Sequence, residues 1–252
     1  MKELLSVQGI SKQYPGFRLE NVSFSLQPGR IMGLIGKNGA GKSTTLKAIM
    51  NMVRPDSGTV RLLGEELSEK ERQLKERIGV VFGGIDFYPL KRLSAITAIT
   101  RRFYRGWDQE RYRGYLKRFE LDEHKAFRSL SNGMKVKYLL ALALSHQAEL
   151  LILDEPTSGL DPVSRDELLH IFSRIVADGR RSILFSTHIT SDLERCADDI
   201  TYLVRGRVRM TADKTSFLSA FESLKAPGEQ GRLTLEEIML RTEREAFDEA
   251  AL

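Results

Sequence analysis

Apolar residues in this chain recur in short unbroken runs separated by polar helical patterns. Leu5 to Ile10, Val22 to Leu26 and, beyond the Pro28-Gly29 turn, Ile31 to Ile35 read as strands. A helix is predicted from about Lys42 to Met52, then a turn at Arg54-Pro55-Asp56-Ser57-Gly58 and a returning strand at Thr59 to Leu63. A polar helix near Ser68 to Arg77 leads into a strand at Ile78 to Phe82. From about Phe87 to Gln147 the spacing is helical with few strand signals, which reads as an inserted helical subdomain. The pattern then reverts to a strand at Leu150 to Leu153, a helix from about Pro162 to Ala177 and an apolar run at Ile183 to Phe185. Continuous apolar runs bounded by helices are what strands buried on both faces of a parallel sheet require. A last hairpin, Thr201 to Val204 and Val208 to Met210, turns at Arg205-Gly206. From about Thr211 the chain is charged and helix-prone, with a break at Ala226-Pro227-Gly228. Such a tail either folds against its own domain or binds a partner.

Composition narrows the class. The 252 residues are 41% hydrophobic and 29% charged, enough for a substantial buried core. The net charge of +5 is not gathered into a long basic tract, so no nucleic-acid partner is expected. A single cysteine, Cys196, excludes an internal disulfide and fits a reducing compartment. The opening residues lack the apolar centre of a signal peptide, and no stretch approaches the ~20 apolar residues of a membrane span. Work at a membrane therefore calls for a spanning partner chain.

The first chemistry lies between the Ile31 to Ile35 strand and the helix after it. Gly36-Lys37-Asn38-Gly39-Ala40-Gly41-Lys42-Ser43 fits the phosphate-loop pattern G-x-x-x-x-G-K-[ST] in the strand-loop-helix setting that its mechanism needs. Backbone NH groups of the glycine-rich turn point at phosphate oxygens, and the helix start adds partial positive charge. Lys42 is placed for the β and γ phosphates of ATP, Ser43 for Mg²⁺ and Thr44 for a further phosphate hydrogen bond. The expected fold is α/β: a P-loop NTPase core with a mostly parallel sheet, an antiparallel β subdomain built partly from the N-terminal strands, and the α-helical insertion.

Leu150-Leu151-Ile152-Leu153-Asp154-Glu155 is an apolar strand that ends in two carboxylates, and it resembles a Walker B element with its catalytic glutamate. Charge at the end of a buried strand is tolerable where it meets a metal or solvent. Asp154 then serves Mg²⁺ and Glu155 is the general base for water. Leu130-Ser131-Asn132-Gly133-Met134 looks like a variant of the signature of ABC ATPases, Ser158-Gly159-Leu160-Asp161 like their D-loop, and Ser186-Thr187-His188 like their switch histidine. The order and spacing of these elements identify the chain as similar to ABC transporter ATP-binding subunits. The wording around Ser131 is similar to ATPases of bacterial peptide-antibiotic and related exporters.

That resemblance covers about Leu5 to Met210, implying an ATPase domain at 1–210, with its helical subdomain at about 87–147 and a C-terminal helical tail at 211–252. It also implies ATP and Mg²⁺ as ligands, with Tyr14 stacking on adenine. Two ATPs are sandwiched between two ATPase subunits, identical or related, each combining one chain's P-loop with the other chain's Ser131 and Gly133, and with Asp161 near the interface. A transmembrane permease subunit and a location on the inner, cytoplasmic face of the cell membrane follow, with export as the direction. The rivals are an ABC protein acting on ribosomes or DNA, and a regulatory ATP-binding module with weak hydrolysis. Gly83, where the family commonly has glutamine, favours weakened hydrolysis or coupling; Asn132 and Met134 also depart from the usual signature. Trp107 with Arg101, Arg102 and Arg105 forms a basic aromatic patch or a solvated helical face, and His124, His146 and His170 lack metal-ligand spacing.

Overall fold

The computed structural model describes residues 3–82, 88–225 and 229–250, the side chains at 68, 69 and 245–250 excepted. Gly83 and the Ala226-Pro227-Gly228 break lie outside the described residues.

Two sheets carry the fold. Strands β1 (Leu5–Tyr14), β2 (Phe17–Leu26), β4 (Ser57–Leu62) and β5 (Glu65–Glu66) form an antiparallel sheet in the order β2-β1-β4-β5. The second sheet has β3 (Ile31–Ile35), β6 (Ile78–Phe82), β7 (Leu150–Asp154), β8 (Ser182–Thr187), β9 (Asp199–Val204) and β10 (Arg207–Asp213) in the order β10-β9-β3-β8-β7-β6. Its strands pair in parallel except for β9 with β10. Helices α1 (Lys42–Ile49), α2 (Leu67–Lys75), α3 (Leu93–Thr100), α4 (Gln109–Arg118), α5 (Asn132–Ser145), α6 (Pro162–Val176), α7 (Thr190–Cys196), α8 (Lys214–Ala220) and α9 (Leu235–Ala250) connect or cover these strands. Among the described residues no helix is long and apolar enough to cross a membrane.

The central strands show why they read as unbroken apolar runs. Successive side chains leave opposite faces of a strand, and both faces are covered here. Ile31, Ile35, Leu151, Leu153, Ile183 and Phe185 enter one core, packed with Tyr138, Leu140 and Phe172 from α5 and α6. Met32, Leu34, Leu150, Ile152 and Leu184 enter a second core with Leu46 and Ile49 of α1 and with Leu5, Val7 and Val60 of the antiparallel sheet. Each such side chain contributes about 1.5–3 kcal/mol by leaving water.

The inserted helices α3, α4 and α5 hold together around buried hydroxyls. The Thr97 hydroxyl donates to the Tyr112 oxygen at 2.8 Å and lies 2.9 Å from Tyr138, which donates to the Leu93 carbonyl at 3.0 Å. Burial pushes the Tyr112 phenol up to about 12. At the end of α5, His146 stacks on Tyr104 with centroids 3.7 Å apart, and its Nδ1 lies 3.1 Å from the Glu76 carbonyl. Burial drives the imidazole down to about 4, so the ring is neutral.

Three differences from the sequence-based expectations have physical reasons. β1 runs on to Tyr14 and β2 starts at Phe17, beyond the apolar runs, because their ends pair through backbone across a Pro15-Gly16 turn where side chains are half-exposed. The two-residue strand β5 carries glutamates and offers no apolar pattern. β10 extends to Asp213, past the expected end at Met210, and its polar alternation marks a strand with one open side. Beyond it, Phe217, Phe221, Leu235 and Ile238 are buried in the same core as Ile31 and Leu151, so the tail folds against its own domain.

Candidate functional site

The loop after β3 is shaped by close backbone approach. Gly36 has φ 155°, and a Cβ there would stand 2.4 Å from the Leu203 carbonyl oxygen, so the chain passes only because the side chain is missing. The Ala40 amide donates to the Lys37 carbonyl at 3.0 Å, and the Ala40 carbonyl accepts from the Gly206 amide at 3.0 Å. Gly41 then caps α1 in the left-handed region, and Lys42 opens the helix. Lys42 is buried, yet its ammonium has oxygens around it: Nζ donates to the Gly36 carbonyl at 2.8 Å and lies 3.5 Å from Glu155 Oε1.

The opposite wall comes from the ends of β7 and β8. These strands pair in register Asp154 with Ser186, which puts a hydroxyl beside the carboxylate. Ser186 Oγ donates to Asp154 Oδ1 at 2.6 Å, and Ser43 Oγ donates to the same oxygen at 3.0 Å. Glu155 follows with φ 50°, a left-handed backbone that costs a residue with Cβ about 1–2 kcal/mol. Its amide is held by the Ser186 carbonyl at 3.1 Å and the Ser186 hydroxyl at 3.0 Å. Strain kept in place by specific bonds is a mark of functional sites. Glu155 Oε2 is 2.7 Å from His188 Nδ1, so carboxylate, imidazole and the Lys42 ammonium form one chain of contacts.

These residues enclose a cleft of about 480 Å³ lined by Asn38, Gly39, Gly41, Lys42, Ser43 and Thr44 on the loop side and by Glu155, Ser158 and His188 facing them. Its aromatic wall is Phe17. Tyr14 is not among the lining residues; it is half-buried opposite Phe17 across the β1–β2 turn, with the Lys12 ammonium 6.0 Å from its ring centroid. Ser131, Gly133 and Asp161 also lie outside the cleft lining. Ser131 caps α5, accepting the Met134 amide at 3.2 Å, and Asp161 caps α6, accepting the Val163 and Ser164 amides at 3.0 Å each. Hydrogen bonds from Ser164, first from its hydroxyl and then from its amide, hold the Asp161 carboxyl below the usual range. The two helix starts adjoin, since a Cβ on Gly133 would meet the Ser164 side chain at 3.4 Å.

Sequence reasoning overlooked Phe17, Ser186 and the position of Ser158 in the cleft. For Phe17 a signal existed: a two-residue turn after Tyr14 sets it directly opposite. Ser186 needed the strand register, which no local pattern supplies. Trp107 packs on Tyr112 with centroids 5.4 Å apart, while Phe103 beside Arg101 and Arg102 is 69% exposed.

The donor set suits the groups that the sequence implies. Mg²⁺ prefers hard oxygen ligands, and Ser43 Oγ and Asp154 Oδ1 already converge. A buried ammonium at the start of a helix suits a polyphosphate. The family model described as "ABC transporter" matches residues 19–158. This chain belongs to the ABC transporter family. Within that family it is 34% identical over 212 residues to the Nod factor export ATP-binding protein I of Ralstonia nicotianae, an alignment covering 81% of this chain and 65% of the relative. It is 31% identical over 214 residues to the bacitracin transport ATP-binding protein BcrA of Enterococcus faecalis, covering 82% of this chain and 68% of that one. The chain thus spans about two thirds of the length of these ABC relatives. A solved ATP-binding subunit of an ABC transporter superposes with a TM-score of 0.82 at 29% identity, covering 95% of this chain and 99% of that one.

Proposed function

We propose that this chain is the ATP-hydrolysing subunit of an ABC exporter, turning ATP-driven closure of two ATPase subunits into movement of a substrate through a separate transmembrane permease. The observation that carries this reading is the paired cleft, in which Lys42, Glu155 and His188 touch while Ser43 and Ser186 meet at Asp154. Its groups balance one another's charge and are ready to exchange partners when phosphates arrive.

In this reading Lys42 trades the Gly36 carbonyl and Glu155 for the β and γ phosphates, and the loop amides with Thr44 hold the remaining oxygens. Ser43 and Asp154 hold Mg²⁺, which neutralises phosphate charge when bound. Glu155, released from Lys42, takes the proton of the attacking water, and His188 orients Glu155 and senses the γ phosphate. Tyr14 and Phe17, neighbours at the hairpin end, form the adenine wall. Ser131, Gly133 and Asp161 lie outside this chain's own cleft, which supports a second ATPase subunit presenting its Ser131 and Gly133 across the phosphates. Export is supported by the relative named for Nod factor export. The exposed apolar Leu90, Ile99 and Phe103 suit contact with a permease and a place on the inner face of the cell membrane.

The test is steady-state Mg·ATP hydrolysis by the purified chain over a range of protein concentrations, with Lys42→Ala as control and with co-purification from solubilised membranes. Turnover that rises more than linearly with concentration, is lost in the variant and travels with a multi-span chain supports the proposal. ATP binding without turnover, alone or with the membrane chain, would replace it with a regulatory module.

A further inference from the structure

Outside the cleft lining lies a group of polar side chains, Thr157 and Asp192 among them buried, with no part in the proposed catalysis. Thr157 stands two residues after Glu155, and Asp192 stands four residues after His188 in the first turn of α7. Asp192 is fully buried, and neither carboxylate oxygen makes a close hydrogen bond. The Thr157 hydroxyl, also fully buried, faces this carboxylate, and Nε of Arg165 approaches Asp192 Oδ1 at 4.0 Å. An acid in the first turn of a helix ordinarily takes amide protons or faces water. This one does neither.

Each partner sits on a different working segment. Thr157 belongs to the stretch between Glu155 and Asp161; Arg165 lies one turn into α6, its amide bonded to the Asp161 carbonyl at 3.0 Å. Asp192 is next to Leu193, which enters the core with Ile31 and Ile35 of β3, the strand that delivers the phosphate loop. Arg195 of α7 also pairs with Asp166 of α6. Burial pushes the Asp192 carboxyl up; the Thr157 hydroxyl, Arg165 and Arg195 pull it back, and the charge of Glu155 raises it again.

Buried groups that converge without close hydrogen bonds destabilise a fold, and they need explanation. Here a hydroxyl from the 155–161 segment and a guanidinium from α6 face one buried carboxylate of α7. We infer that Asp192 is a positioning residue for hydrolysis: with Thr157 and Arg165 it locks, from inside the domain, the separation between the segment that carries Glu155 and the one that carries His188. The inference rests on the ATPase reading proposed above. Asp192 lies outside the cleft lining and acts through the placement of Glu155 and His188.

The test compares wild type with Asp192→Ala, Asp192→Asn and Thr157→Val by kcat, KM for Mg·ATP and thermal midpoint. A misplacement of the reacting groups predicts kcat lowered roughly tenfold in Asp192→Ala with KM within about twofold, because geometry rather than binding is lost. Asp192→Asn, which keeps the shape and one acceptor, restores part of that rate. Thr157→Val/Asp192→Ala is no slower than Asp192→Ala alone, as expected of residues acting as a unit. A lower thermal midpoint with kcat unchanged per folded molecule in Asp192→Ala overturns the inference. Should that variant fail to fold, Thr157→Val decides: unchanged kcat overturns the inference, and a roughly threefold fall at constant KM supports it. No turnover in the wild type overturns the ATPase reading and this inference with it, whereas equal turnover in wild type and Asp192→Ala removes this inference alone.

Discussion

The cleft at the strand ends and the inserted helical subdomain use polar groups in opposite ways. In the cleft, side chains hold one another at the edge of solvent: Lys42 with Glu155, Glu155 with His188 and Ser43 with Asp154. In the helical subdomain the buried polar groups are neutral and tied to backbone: Tyr138 to the Leu93 carbonyl and His146 to the Glu76 carbonyl. The first arrangement can exchange partners cheaply; the second fixes a shape. One domain thus keeps its reactive charges apart from the bonds that hold it together.

The contrast can be broken from either side. Glu155→Gln should lower kcat by roughly three orders of magnitude, about 4 kcal/mol in the barrier, with little change in thermal midpoint. A large loss of stability in that variant would mean that the cleft also carries the fold. His146 should act on stability alone. Its folded pKa of about 4 lies below the usual 6.5, so between those values the unfolded chain takes up a proton that the folded chain refuses. Its contribution is fully present above about pH 6.5 and is lost as pH falls toward 4, about 3 kcal/mol in all. Denaturant titrations at stepped pH should show this slope in wild type and lose it in His146→Phe.

Smaller effects sharpen the boundary. Phe17→Ala and Tyr14→Ala should each weaken ATP binding by about 1–2 kcal/mol if both rings form the adenine wall. Isothermal titration would expose a Tyr14 that does not participate as an unchanged affinity. Ser131→Ala should cost about 1 kcal/mol of stability through its lost cap. A drop in turnover beyond the folded fraction, growing with protein concentration, would place this hydroxyl in chemistry between subunits as well.

The sequence made the parallel core legible where apolar runs were continuous, at Ile31 to Ile35, Leu150 to Leu153 and Ile183 to Phe185, since burial on both faces leaves no polar gap. The phosphate loop was legible because its glycines and Lys42 answer to one local geometry. What stayed hidden depends on contacts distant in sequence. Ser186 matters because β8 lies beside β7, and Asp192 because α7 packs against α6. The burial of Phe217 and Ile238 could not be read from helical spacing, which predicts an apolar stripe without naming its partner.

The turn between β9 and β10 has a further consequence. The Gly206 amide donates to Ala40 in the phosphate loop while its carbonyl accepts from Glu20 of β2 at 2.8 Å, and a Cβ there would fall 1.9 Å from the Arg18 carbonyl oxygen. In a screen of random substitutions Gly206 should therefore score with the residues around Lys42, although it lies near the other end of the gene. A map of tolerance drawn along the sequence would show two distant troughs that are a single lesion in space.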